Sequence, residues 1–163
     1  MDTVAIFVDV QNIYYTVKER HGAHFDYGAF LREATAGRKL VKANAYATDK
    51  GDQRQSRFQG VLRGMGFEVR LTPYIQRADG STKGDWDAGI AVDMAEYAGL
   101  ADVLVLASGD GDFAPVVQKL IAGHSVAVDV YGVSDLTAAS LKQAATSFVP
   151  IEGRLLLPIP TTW

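Results

Sequence analysis

The chain has 163 residues, 48% of them hydrophobic, which suits one domain able to bury roughly two-thirds of its unfolded surface. It has no cysteine, so disulfides, thiolate catalysis and cysteine-ligated zinc are excluded. A net charge of −3 argues against a protein that coats nucleic acid through bulk positive charge.

Residues 4–10 form a short, β-branched apolar run that predicts a strand buried on both faces, and hence a parallel sheet. No basic-then-apolar leader precedes it, and no apolar run approaches the ~18–20 residues of a spanning helix, so a cytoplasmic protein with no membrane partner is expected. Helices are predicted over 12–20 and 26–36, a strand over 41–47, a helix over 52–64 and a weaker strand over 67–75. A polar, glycine-containing loop follows over 77–84. The pattern continues with a helix over 85–99, a strand over 102–107, a helix over 113–122, a strand over 125–130 and a helix over 135–145. Five strands alternating with helices predict a three-layer α/β/α sandwich with a mostly parallel sheet, filling residues 1–150. Residues 151–163 read as an extended tail whose apolar stretch covers a hydrophobic patch, of the domain or of a partner in a homodimer.

Charge is distributed unevenly. Residues 32–83 hold eleven Lys/Arg against five Asp/Glu, a local excess of +6, whereas residues 84–135 hold nine acids against Lys119 alone, a balance of −8. This asymmetry suits an acidic, cation-binding centre beside a phosphate-attracting surface, or equally well a set of solvated helix faces.

Three acidic motifs stand where such a centre can form. Asp9 ends the first strand, so with Asn12 it faces the crevice at the carboxyl edge of the sheet, or else caps the following helix. Ser108-Gly-Asp-Gly-Asp-Phe113 follows the fourth strand and brings Asp110 and Asp112 to the same edge, with glycines that allow close backbone approach. Asp112 has the alternative of capping the next helix. Lys83-Gly-Asp-Trp-Asp87 opens the intervening helix, where Asp85 is the natural cap and Asp87 lies in the first turn. Asp93 lies about 120° around the axis from Asp87 and is expected to pair with Glu96 on a solvated or supporting face. Clustered carboxylates raise one another's pKa unless a hard divalent cation neutralises them, and oxygen-only ligands select Mg²⁺ or Mn²⁺. The histidines His21, His24 and His124 show no metal-ligand spacing and read as structural or surface residues. Neither GxGxxG nor GxxxxGK[ST] occurs.

Taken in order, Phe7-Val-Asp-Val-Gln-Asn12, the stretch from Lys83 to Met94 and Ser108 to Phe113 resemble the motifs of LabA-like NYN-domain proteins, a branch of the PIN-like nuclease superfamily. The resemblance covers nearly the whole chain. It implies a PIN-like, Rossmann-like fold and a catalytic metal site at Asp9, Asp87, Asp110 and Asp112. RNA is the implied substrate, cleaved by metal-activated water as in an endoribonuclease. Asn12 resembles the family's pocket-lining asparagine, and Ser108 and Lys83 are implied substrate contacts. Arg54, Arg57 and Arg77 join them as candidate phosphate contacts on charge. The middle motif carries one residue more between Lys-Gly and Asp87 than a common family form, which leaves Asp85 as the alternative ligand. A non-catalytic RNA- or protein-binding module that keeps the metal pocket is the rival reading. A phosphatase of the haloacid-dehalogenase kind is disfavoured, because Asp9-Val-Gln lacks the second aspartate of DxD.

Overall fold

The computed structural model describes residues 1–49, 53–73, 75–76, 82–83 and 87–159. Its centre is β1 (Asp2–Asp9), whose residues Val4 to Val8 are fully buried. Strand side chains alternate between faces. Val4, Ile6 and Val8 accordingly enter one apolar core, and Ala5 and Phe7 enter another on the opposite side of the sheet.

The first core is closed by α1 (Val10–His21), α2 (Tyr27–Ala34) and α3 (Gln53–Met65), through residues such as Ile13, Phe30 and Leu62. The second is closed by α4 (Asp87–Tyr97), α5 (Ala114–His124) and α6 (Ala139–Ala144), through Ile90, Met94, Val117 and Leu141. Helices on both faces of one sheet make the three-layer sandwich that the alternating pattern predicts.

The sheet has six parallel strands. On one side of β1 lie β3 (Arg38–Asp49) and then β4 (Glu68–Pro73); on the other lie β7 (Val103–Ala107), β8 (Ala127–Gly132) and β9 (Ser147–Pro150). Winding runs outward from β1 in one direction and then in the other, so chain order reverses between β1 and β7, where Val8 pairs with Ala107. This is the switch point of a doubly wound, Rossmann-like sheet, and the crevice at its carboxyl end is where such folds place ligands.

Two expectations need correction. The sheet has a sixth strand, β9, in place of five in all. The helix predicted over 135–145 is a 3-10 turn at Ser134–Leu136 followed by the short α6, because Thr137 Oγ1 donates to Val133 O at 2.7 Å and holds the intervening backbone out of the helix. The tail also gains structure. Ile151 and Leu155 are buried within this chain, and β10 (Leu156–Pro158) pairs antiparallel with β2 (Ala23–Phe25). A second small antiparallel pair joins β5 (Ile75–Gln76) to β6 (Thr82–Lys83). Among the described residues, no helix is long and apolar enough to cross a membrane.

Candidate metal centre

The apolar run of β1 ends at Asp9, only 9% exposed, and an ionised carboxylate there needs donors. It has them. Asn12 N–H donates to Oδ1 at 3.4 Å, capping α1, and Ser108 Oγ donates to Oδ2 at 3.1 Å. The same hydroxyl accepts the Asp110 N–H at 3.1 Å, and Asn12 Oδ1 accepts the Gly109 N–H at 2.9 Å. Asp9 and Asp110 therefore share one buried serine, and Asn12 pins the start of α1 to the 108–113 loop. Of the two alternatives read for Asp9, the helix cap is the one seen, and the same carboxylate also bonds Ser108 at the end of β7. Burial and, second, the nearby charge of Asp9 push the Tyr27 phenol above its ordinary value and keep it neutral.

The 108–113 loop depends on its glycines for close packing. A Cβ at Gly109 would stand 2.7 Å from Leu136 O, and one at Gly111 would stand 2.8 Å from Ala138 Cβ. Neither fits without displacing the connection after β8. That connection also donates the Ala138 N–H to Gly109 O at 3.0 Å. Beyond the glycines, Asp110 Oδ1 accepts the Asp112 N–H at 2.9 Å, so Asp110 and not Asp112 is the cap of the turn Gly111–Phe113. Buried Phe113 anchors the end of that turn in the second core. Asp112 is left exposed at the rim.

Across the crevice, Asp87 is the first residue of α4 and half-buried. Asp87, Asp110 and Asp112 present carboxylate oxygens that all lie within 4.8 Å of one another. Oxygens on opposite sides of an octahedral Mg²⁺ stand about 4.2 Å apart, twice the usual ~2.1 Å bond, so a contraction of a few tenths of an ångström brings all three within reach of one shared ion. Among the described residues, neither Asp110 nor Asp112 forms an ion pair with a basic side chain. The donor set is hard oxygen throughout, which fits Mg²⁺ or Mn²⁺. Asp9 stands outside this trio, held one serine away from Asp110.

Asp93 departs from its expected pairing with Glu96. It accepts from Tyr46 Oη at 2.6 Å and from Arg70 at 2.8 Å, which ties α4 to β3 and β4. Asn44 Nδ2 in turn donates to the Tyr46 oxygen at 3.0 Å. Burial first, and the bond to Asp93 second, raise the Tyr46 phenol well above its ordinary value. Sequence reasoning did not single out Tyr46 or Arg70; the available signal was one aromatic among the small residues of β3. Arg54 and Arg57 lie on the exposed side of α3, on the face of the sheet opposite α4. Lys83 lies on β6, and Arg77 and Asp85 lie outside the described residues.

A doubly wound sheet with three convergent aspartates at its switch point defines a class of α/β domain built around a carboxylate pocket. The NYN domain model matches residues 3–152, and the chain belongs to the NYN-domain family, a PIN-like nuclease family. It is 28% identical over 157 residues to the low amplitude and bright protein LabA of Synechococcus elongatus, covering 91% of this chain and 83% of that one. It is also similar to the crystal structure of a Vibrio parahaemolyticus protein of unknown function, with 47% identity, a TM-score of 0.92 and 96% of each chain covered.

Proposed function

We propose that this protein is a metal-dependent endoribonuclease, with Asp87, Asp110 and Asp112 holding Mg²⁺ or Mn²⁺ and with Asp9 completing the pocket. The observation that carries the reading is the convergence of three carboxylates within 4.8 Å at the carboxyl edge of the sheet. Asp87, Asp110 and Asp112 would hold the ion, which when bound would supply Lewis-acid polarisation of a phosphodiester and activation of water, with no protein nucleophile needed. The chain's own residues prepare the site. Ser108 fixes Asp9 as an acceptor and holds the Asp110 backbone, so the two acids keep their spacing. Asn12 holds Gly109 and through it the loop that carries Asp110 and Asp112. The half-buried setting of Asp87 and Asp110 would strengthen their electrostatic contacts to a bound ion. Membership of a PIN-like nuclease family supports the same reading.

The test is cleavage of end-labelled RNA with Mn²⁺, with EDTA, and by the Asp9→Asn and Asp110→Asn proteins. The reading expects cleavage that requires Mn²⁺ and is abolished in both variants, with circular dichroism unchanged. Metal binding without turnover in the wild-type protein would instead favour a non-catalytic RNA-binding module.

A further inference from the structure

We infer that the exposed aromatic pair Tyr14–Tyr15 on α1 is a stacking platform for the bases of single-stranded RNA entering the carboxylate pocket, an inference that rests on the proposed nuclease reading. Large aromatic side chains are costly to leave in water. Yet Tyr15 is 52% exposed and Tyr14 43%, in the first turns of the helix that Asp9 caps. Tyr15 lies three residues beyond Asn12, and residues so spaced share one side of a helix. Asn12 bonds the 108–113 loop, so Tyr15 sits on α1 one turn beyond the residue that ties the helix to that loop.

The pair is held in place. The two rings meet edge to face at 5.2 Å, and Tyr14 is backed by the His24 imidazole, stacked at 6.1 Å. Lys18, one turn further on from both tyrosines, places its ammonium 5.7 Å from the Tyr14 ring centre. A fixed aromatic face with a neighbouring cation suits a nucleic-acid strand: bases stack on the ring while the phosphate backbone meets the lysine. Bases locked inside a duplex cannot reach such a ring, so the platform selects unpaired strands. It also gives the acidic pocket what its charge alone cannot supply, a means of holding a polyanion beside clustered carboxylates.

The test uses fluorescence anisotropy in EDTA, where no turnover occurs, with the full chain and a fluorescein-labelled oligoadenylate of about ten nucleotides. The wild type is compared with Tyr15→Leu and Tyr15→Phe, and cleavage of the same strand is read separately with Mn²⁺. Tyr15→Leu should weaken single-strand binding about tenfold, Tyr15→Phe should retain it, and affinity for a blunt duplex should be unchanged by either. If Tyr15→Leu binds and cleaves like the wild type, the platform is overturned and the nuclease reading stands. If the wild type binds with this dependence on Tyr15 but does not cleave, the platform stands and the nuclease reading falls. A wild type that binds no single strand overturns the platform, and concentration-dependent dimerisation lost in Tyr15→Leu would assign the rings to a second copy of the chain.

Discussion

Two aspartates of α4, six residues apart, meet opposite surroundings. Asp93 faces β3 and β4, where the Arg70 guanidinium and the Tyr46 hydroxyl satisfy its charge from within the chain. Asp87 faces the crevice, where its nearest chemical kin are two further carboxylates. The same residue type on the same helix is a structural clamp at one end and a member of a carboxylate cluster at the other. A half-buried carboxylate matched to a guanidinium and a hydroxyl has its charge met within the chain, whereas carboxylates gathered together favour a cation between them.

This contrast can be broken at four places. Asp87→Asn should lower Mn²⁺-dependent cleavage by more than about a hundredfold while leaving the melting temperature within a few degrees, because it removes a ligand and spares the packing. Steady-state cleavage and thermal denaturation on the same samples check both halves. Ser108→Ala leaves Asp9 Oδ2 and the Asp110 N–H without their shared hydroxyl, and calorimetry should register a loss of metal affinity of roughly 10–100-fold.

At the clamp the balance reverses. Tyr46→Phe deprives Asp93 of a donor and the buried Asn44 of an acceptor, so urea denaturation should show a loss of about 1–3 kcal/mol with Mn²⁺ affinity almost unchanged. A large drop in metal affinity in this variant would erase the distinction between the two ends of α4. The smallest effect belongs to Arg70→Met. The Arg70 side chain is 43% exposed, so solvent screens its pairing with Asp93, and the loss should stay within about 1 kcal/mol and shrink further at high salt.

The features legible in the sequence are those fixed by local chemistry. The uninterrupted apolar run of β1 can only be a strand covered on both faces, and an acid at its end must lie at the sheet's edge. The glycines at 109 and 111 mark a close approach that the Leu136 carbonyl and the Ala138 methyl confirm. What escaped notice depends on distant partners. Asp93 finds Tyr46 and Arg70 from strands 47 and 23 residues away, a pairing that helical periodicity cannot reveal. Strand β9 is four residues long, half-exposed and ends in proline, so it lacks the alternation and the burial that announce a strand. The alanine-rich stretch over 138–145 has helical propensity throughout, yet tertiary contacts to Gly109 and the Thr137–Val133 bond delay the helix to Ala139.

The central claim is a divalent ion shared by carboxylates from α4 and the 108–113 loop. Anomalous diffraction from a crystal soaked in Mn²⁺ tests it most directly. The account predicts a peak within bonding distance of Asp87, Asp110 and Asp112 together. A well-ordered crevice with no peak there, or a peak bound by other residues alone, would contradict it.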